Sequence, residues 1–163
     1  MKAFVISNSC WNITNFRSEL ISQLINNKVS VKIISSSDET TEQLKSWGCH
    51  FSEVKFAGRQ RNFIYELVNI VKIFCLLKKD KPDFVLCFTI KPNLYVGLIS
   101  YFLSVRQIAN ITGLGSTILE DNYLRRFVLL LYNYYCYPFI YSCICPFLFI
   151  YQFQKKGYWD ILV

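Results

Sequence analysis

A chain of 163 residues is long enough for one domain that buries a core of its own. Its hydrophobic (53%) and aromatic (17%) fractions are high for a soluble domain, and its net charge of +7 favours an anionic partner, either a phosphate group or an acidic membrane surface. Seven cysteines without a CxxC pair, together with a single histidine, argue against a zinc site and a disulfide framework and fit a reducing cytoplasm.

The first third of the chain begins with a short apolar run, followed by apolar residues at helical spacing. This pattern is typical of a strand followed by a helix. Ala3–Ile6 predicts the first strand, and because no long apolar core or cleavage site accompanies it, no signal peptide is expected. A polar loop is predicted over 7–12. It contains no glycine, whereas a dinucleotide site needs GxGxxG at this turn, so NAD and FAD are not expected. Thr14 is predicted to cap a helix that ends at Asn26 and Asn27.

The middle of the chain repeats this alternation twice. Strands are predicted at Val29–Ile34 and Cys49–Phe56, and helices at Glu39–Trp47 and Phe63–Lys79. A basic loop over 57–62 precedes the second helix. That helix has a broad apolar face, and a proline shortly after it prevents its continuation.

A fourth strand, a fourth helix and a fifth strand complete the pattern. Phe84–Thr89 is an unbroken apolar run, 91–93 is predicted to be a turn, Leu94–Leu103 a buried helix and Arg106–Ile111 the last strand. This alternation predicts an α/β fold, namely a doubly wound, Rossmann-like parallel sheet of five strands in which the first strand is central.

Polar residues and glycines follow the first, fourth and fifth predicted strands. Because the carboxyl ends of parallel strands lie on one rim of a sheet, where ligands bind, we expect these residues to converge. Two cations, two amides and free backbone N–H groups suit a diphosphate or the hydroxyls of a sugar. The predicted substrate-binding residues are Asn15, Arg17, Lys91, Asn93, Thr112, Gly113 and Gly115.

These residues also have a purely structural interpretation. Arg17 can be a solvated side chain. Pro92 and Asn93 can have no role beyond making a turn and capping the next helix, and Gly113 and Gly115 can have no role beyond relieving steric crowding. Trp11 and Phe16 are assigned to packing rather than to stacking on a ligand. No general base is predicted, because the single histidine, His50, lies at the start of the predicted third strand, at the opposite edge from the rim. No metal ligands are predicted.

Three stretches of the sequence carry a family resemblance. They are SNSCWNITNFR (7–17), KPDFVLCFTIKPN (81–93) and NITGLG (110–115), and they stand in this order at the ends of the first, fourth and fifth strands. In them the chain resembles the N-terminal domain of family 4 glycosyltransferases, in particular the bacterial capsule and O-antigen enzymes that act on polyprenyl-diphosphate-linked sugars. The resemblance extends from Met1 to about Tyr134.

The resemblance implies a GT-B enzyme, in which two Rossmann-like domains face one another across a cleft. In such an enzyme the N-terminal domain holds the lipid-linked acceptor, and the second domain holds the nucleotide-sugar donor. Transfer would proceed with retention, without a required metal and without a cofactor besides the donor. The groups that bind the donor belong to the second domain, so no catalytic residue is assigned in this chain.

The end of the chain has a different composition. The expected domain boundary lies at 134, with a glycosyltransferase domain over 1–134 and an aromatic, apolar tail over 135–163. Phe127–Tyr151 is long enough to span a bilayer, but Pro138 and Pro146 would break such a helix. The tail can be native, out of frame, membrane-associated or membrane-spanning.

These observations predict the acceptor-side half of a glycosyltransferase, truncated before its donor-binding domain and inactive alone. The alternative is a non-catalytic, membrane-associated binding or remnant protein, whose aromatic tail attaches a basic domain to anionic lipid. The expected location is the cytoplasm, peripheral to the inner face of the cell membrane, and nucleic acid is not an expected partner.

Overall fold

A computed structural model of the chain describes residues 1–56 and 63–110. These residues form one five-stranded sheet with helices on both faces. The strands are β1 (Lys2–Ser9), β2 (Ser30–Ser36), β3 (His50–Glu53), β4 (Phe84–Phe88) and β5 (Gln107–Asn110). The helices are α1 (Cys10–Phe16), α2 (Ser18–Asn26), α3 (Thr41–Ser46), α4 (Phe63–Asp80) and α5 (Ile90–Leu103).

The sheet is parallel throughout and has the strand order β3-β2-β1-β4-β5. The chain winds outward from β1 to β3 and then crosses over to β4 and β5. This confirms the predicted doubly wound α/β sheet with the first strand at its centre. The order reverses between β1 and β4, and in such sheets a ligand crevice opens outside the carboxyl ends of the strands at the reversal point.

The sheet buries an apolar layer on each face. In β1, Phe4 and Ile6 belong to the layer under α4 and α5, whereas Val5 belongs to the layer under α1, α2 and α3. Ile73 and Leu77 of α4 close the first layer. Because both faces are covered by helices, the strands are unbroken apolar runs rather than alternating ones.

The segment after β1 differs from the prediction. Instead of a polar loop over 7–12, β1 continues to Ser9 and α1 begins at once with Cys10. The Ser9 hydroxyl caps the helix by accepting the Asn12 N–H at 3.2 Å. Thr14, the predicted cap, lies inside α1, where its hydroxyl donates to the Cys10 carbonyl oxygen at 3.1 Å.

The predicted single helix is divided at Arg17. The backbone of Arg17 has φ −134° and ψ 11°, so this residue ends α1 and precedes α2. Its N–H donates to the Ile13 carbonyl at 2.9 Å, and its own carbonyl accepts the Ile21 N–H at 3.0 Å. Neither glycine nor proline marks this break, which is why helical spacing alone did not indicate it.

The segment after β4 also differs from the prediction. The predicted reverse turn over 91–93 is absent. Lys91, Pro92 and Asn93 are helical instead and belong to the start of α5, which begins at Ile90. A proline is tolerated there because its missing N–H would have no partner within the helix. The change of direction falls instead on Thr89, with φ 74° and ψ 163°.

Other boundaries move by a few residues. Helix α3 begins at Thr41 rather than Glu39, and β3 occupies only the first part of the predicted strand over 49–56. In the ranges 1–56 and 63–110, no helix has the length and apolar character needed to cross a membrane. The basic loop over 57–62, the boundary at 134 and the tail over 135–163 lie outside the described residues.

Candidate functional site

The carboxyl ends of β1 and β4 are neighbours in the sheet, and side chains connect them. Thr89, directly after β4, donates its hydroxyl hydrogen to Asn8 Oδ1 of β1 at 2.6 Å. The guanidinium carbon of Arg17 lies 4.8 Å from the ring centre of Phe88, the last residue of β4. The fold therefore brings Arg17, which follows the first strand in sequence, to the end of the fourth strand.

Arg17 keeps a free charge at this position. Its Nη1 donates to the Phe16 carbonyl at 2.8 Å, and its contact with the Phe88 ring is a cation–π interaction. Its Nε is buried, and among the described residues it has no hydrogen-bond partner. No carboxylate within those ranges forms an ion pair with this guanidinium. The arrangement suits an anion that accepts hydrogen bonds from the guanidinium.

Lys91 is bound to a carboxylate of the neighbouring helix. Its Nζ lies 2.6 Å from Oε1 of Glu66, in the first turn of α4, and Tyr95 donates its hydroxyl hydrogen to the other oxygen of Glu66. All three side chains are mostly buried. An anion that approached Lys91 would therefore share the ammonium with Glu66.

The two predicted amides take part in the fold itself. Asn93 is fully buried; its Nδ2 donates to the Asn110 carbonyl at 3.2 Å, and its carbonyl accepts from Gln107 Nε2 at 2.9 Å. These bonds fix the start of α5 to β5. Asn15 is exposed on α1, where its Nδ2 donates to the Trp11 carbonyl at 2.9 Å. Thr112, Gly113 and Gly115 lie outside the described residues.

The backbone conformation of Thr89 was not predictable from the sequence pattern. A φ of 74° with a ψ of 163° belongs to a region that essentially only glycine enters, and a β-branched side chain makes it more costly. Strain of this kind costs roughly 1 to 3 kcal/mol and concentrates at ligand sites. Thr89 directly precedes the first turn of α5, and it faces Asn8 across the reversal point of the sheet.

The sequence pattern assigned Trp11 and Phe16 to packing, but in the structure both side chains are exposed. They are 48% and 58% exposed, and their rings meet edge to face at 5.5 Å between centres. Helix α1 has only seven residues and turns Cys10, Ile13 and Thr14 inward, so its other side remains in solvent. Phe16 directly precedes Arg17 in the chain, so this exposed aromatic pair lies at the end of α1 next to that residue.

The N-terminus of α1 already holds a carboxylate of the protein. Asp38 Oδ2 accepts the Trp11 N–H at 2.8 Å, and its Oδ1 accepts the N–H and hydroxyl of Thr40 at 2.9 and 2.6 Å. Burial tends to raise the pKa of Asp38, but hydrogen bonds from Thr40, Trp11 and Cys10 outweigh it and lower the pKa below its ordinary value. The carboxylate of Asp38 thus neutralises the positive end of α1. In a dinucleotide-binding helix, by contrast, this end is left for the phosphates of the ligand.

Among the described residues, this rim carries two cations, Arg17 and Lys91, and α5 adds the positive end of a fourteen-residue helix. The sign of these charges suits an anion. His50 begins β3, which is separated from β1 by β2, so the imidazole is remote from the rim.

Comparisons with known proteins agree on the fold. The family model for glycosyl transferase 4-like proteins matches residues 5–144. No curated protein sequence matches the chain. Three solved structures illustrate the similarity. The UDP-GlcNAc 2-epimerase from Methanocaldococcus jannaschii is 16% identical with a TM-score of 0.66, and the match covers 97% of this chain and 43% of that one.

The other two are more distant in sequence. A glycosyltransferase from Rickettsia africae ESF-5 is 12% identical with a TM-score of 0.55, over 76% of this chain and 34% of that one. Alr3699/HepE from Anabaena, solved with UDP and glucose, is 12% identical with a TM-score of 0.59, over 88% of this chain and 37% of that one. The chain thus spans less than half of the length of each structure.

The structural similarity concerns the fold alone, since transferases and an epimerase share it. The parallel sheet and its flanking helices match one Rossmann-like half of these GT-B proteins. The family model, in contrast, covers most of the sequence. The chain belongs to the glycosyl transferase 4-like family.

Proposed function

We propose that this chain is the acceptor-side half of a retaining GT-B glycosyltransferase of the capsule and O-antigen type. The enzyme would transfer a sugar from a nucleotide-sugar to a polyprenyl-diphosphate-linked acceptor in surface polysaccharide synthesis. Family membership supports glycosyl transfer in general. The observation that carries the acceptor assignment is Arg17, a cation without a carboxylate partner in the described ranges, at the reversal point of the sheet.

A diphosphate fits the chemistry of this rim better than a neutral sugar does. A guanidinium donates two parallel hydrogen bonds to phosphate oxygens, and its charge strengthens each of them. The positive end of α5 lies next to Phe88, the residue that Arg17 covers. Lys91 would add a second cation, held in place by Glu66 until the anion competes for it. The neighbouring aromatic pair could cover the apolar part of an isoprenoid or a sugar ring.

The proposal divides the reaction between two domains. Transfer requires the anomeric carbon of the donor within about 3 to 3.5 Å of the acceptor oxygen, and orientation supplies much of the rate. The leaving nucleotide diphosphate must also be stabilised. We assign both the donor site and this stabilisation to a second domain, and no catalytic residue, metal or cofactor to these 163 residues. Alone, the chain would bind acceptor weakly, bind nucleotide-sugars hardly at all, and transfer nothing.

A lipid-linked acceptor implies work at a membrane surface. We place the protein in the cytoplasm, peripheral to the inner face of the cell membrane, where its net charge of +7 favours anionic lipid. The same charge also supports the alternative of a non-catalytic membrane-associated protein. The two proposals differ in whether diphosphate binding depends on the rim.

Binding of geranyl diphosphate by the purified chain tests the acceptor assignment. The Arg17→Ala, Lys91→Ala variant should bind at least about tenfold more weakly, because two charge-assisted contacts are lost. The matched control is Arg106→Ala, Lys45→Ala, which removes one arginine and one lysine away from the rim. Equal weakening in both variants would contradict the site and favour nonspecific charge attraction.

Transfer itself is tested with radiolabelled nucleotide-sugars and a membrane extract from a strain that lacks related transferases. The 163-residue chain should incorporate no label into lipid. Label incorporated by the parent chain and absent from the Arg17→Ala, Lys91→Ala variant would show that these residues suffice for the whole reaction.

A further inference from the structure

Helix α4 is apolar on two sides. Its inner side packs against the sheet through Ile73 and Leu77, which are fully buried. Its outer side also carries large apolar residues, and these are between 44% and 69% exposed. We call this side the α4 outer face; it comprises Ile64, Tyr65, Leu67, Val68, Val71, Lys72, Lys78 and Lys79. An ordinary surface helix would present polar residues there.

The apolar residues of the α4 outer face are contiguous. Ile64, Leu67, Val68 and Val71 follow the spacing i, i+3, i+4, i+7, which places them side by side along one stripe. The stripe occupies the first half of the helix and extends for roughly 11 Å at 1.5 Å per residue. A continuous exposed stripe of this kind indicates an interaction surface, whereas single exposed apolar residues do not.

The charges of the α4 outer face have one sign. Lys72, Lys78 and Lys79 are exposed along its second half. The two acidic residues of the helix are engaged elsewhere: Glu66 pairs with Lys91, and Asp80 pairs with Lys32 at 2.6 Å. The face therefore combines an apolar half with a cationic half.

This combination selects among the partners that could cover the face. A second copy of the chain would supply no counter-charge for the lysines, because the two acidic residues of α4 are already paired elsewhere. The apolar run 127–151 of the chain contains no charged residue and would leave the lysines without counterions. An anionic bilayer satisfies both halves, because apolar side chains enter the boundary between headgroups and acyl chains while lysines bind lipid phosphates.

We infer that the α4 outer face is the surface on which this domain lies against an anionic lipid bilayer. This inference names the contact surface for the membrane location proposed above, and it can fail while acceptor binding stands. The geometry connects the two sites. Glu66, in the first turn of α4, is 2.6 Å from Lys91 on the rim, so the apolar half of the face begins within one helical turn of the proposed acceptor site. A membrane-embedded isoprenoid could then present its diphosphate to the rim without leaving the bilayer.

Sedimentation of the 163-residue protein with lipid vesicles tests the inference. Vesicles contain phosphatidylcholine alone or mixed with phosphatidylglycerol. The parent should bind the mixed vesicles, lose binding as salt rises, and bind the neutral vesicles at least about tenfold more weakly. Comparable binding to both vesicle types would overturn the inference.

Two variants separate the apolar half from the cationic half. The first double variant is Val68→Gln, Val71→Gln, and the second is Lys72→Gln, Lys79→Gln. Each should weaken partitioning to mixed vesicles by roughly tenfold to thirtyfold, because every lysine at the lipid surface and every apolar side chain inserted into the bilayer contributes to binding. All four residues are exposed, so the urea midpoints of both variants should match the parent.

Matched controls exclude a general effect of charge or substitution. Val68→Leu, Val71→Leu keeps the apolar stripe and should bind like the parent. Lys28→Gln, Lys45→Gln removes two lysines associated with α2 and α3, in the opposite helical layer, and should change partitioning less than about threefold. Unchanged binding by both test variants, or equal weakening in the lysine control, would assign the membrane contact to another part of the chain.

Discussion

At the scale of single residues, Thr89 shows how the local structure of the rim is maintained. Its backbone lies in a region reserved for glycine, yet its hydroxyl bonds Asn8 and its position starts α5. The surrounding contacts must outweigh the strain, because the conformation would otherwise relax. The residue therefore combines a favourable side-chain bond with an unfavourable backbone.

Two substitutions at Thr89 separate these contributions. Thr89→Ala and Thr89→Gly both remove the hydrogen bond to Asn8, but only glycine also removes the strain. We expect the glycine variant to be more stable than the alanine variant by roughly 1 to 3 kcal/mol in urea unfolding. At an ordinary position glycine is the less stable of the two by about 0.5 to 1 kcal/mol, and that order at Thr89 would contradict the strained conformation.

Asp38 predicts a dependence of stability on pH. Its carboxylate accepts hydrogen bonds from the first turn of α1 and from Thr40, so Asp38→Asn should lower the free energy of unfolding by about 1 kcal/mol at neutral pH. The pKa of Asp38 is lowered in the fold, so its stabilisation is present above the ordinary value of 3.8 and is lost as the pH falls through the lower, folded value.

Urea unfolding of the parent and of Asp38→Asn across this pH range checks the prediction. The difference between the two proteins should shrink as the pH falls below 3.8. Glu39→Gln is the control, since Glu39 is the exposed neighbour in the same turn. A difference that stays constant or grows in acid would show that the Asp38 carboxylate does not stabilise this turn.

The predicted site residues divide according to how far their positions depend on three-dimensional packing. Arg17 and Lys91 were expected at the rim because strand order alone places the ends of β1 and β4 together. Their partners were not predictable, since the ion pair with Glu66 and the contact with Phe88 depend on how helices and sheet pack across long sequence separations. The buried role of Asn93 arises in the same way, from its bond to β5.

At the scale of elements, α4 is the helix whose orientation the account depends on most. Its sequence predicted a broad apolar face, and the structure resolves that face into an inner side against the sheet and an outer side in solvent. Helical spacing could not assign the sides, because apolar residues occur on both. Only the position of the sheet decides which leucine is buried.

A matched pair of substitutions in α4 tests this orientation. Leu77 is 1% exposed and Leu67 is 46% exposed. Leu77→Ala should lower the free energy of unfolding by roughly 2 to 5 kcal/mol, because it leaves a cavity against the sheet. Leu67→Ala should lower it by less than about 1 kcal/mol. Similar losses in urea unfolding would mean that the outer face is covered and would remove the basis for the membrane contact.

The boundaries of the elements were less predictable than their existence. The strands were recognisable because parallel strands buried on both faces read as apolar runs. The start of α1 at Cys10 was missed because Ser9 and Thr14 can both cap a helix. Ser9 is the cap in the structure because α1 follows directly from β1. The first turn of α5 was read as a turn because proline suits both structures.

At the scale of the whole molecule, the described part of the chain is one doubly wound sheet with its polar rim at the reversal point. Strand alternation and the three motifs were sufficient to predict the sheet, its strand order and the family. The reaction does not follow from the fold, because GT-B proteins include both transferases and epimerases. We therefore propose, beyond the fold, that this rim binds a diphosphate-bearing acceptor rather than a nucleotide-sugar.

Chemical shifts of the ¹⁵N-labelled chain during titration with geranyl diphosphate test this assignment. We expect the Asn8, Thr89 and Lys91 amides, at the carboxyl ends of β1 and β4, to shift. The amides of Asp83 and Ser104, at the opposite rim, should not move. A nucleotide-sugar at the same concentration should move none of these signals. Strong shifts of the Asn8 and Thr89 amides by the nucleotide-sugar, or by geranyl diphosphate only at Asp83 and Ser104, would contradict the assignment of this rim to the acceptor.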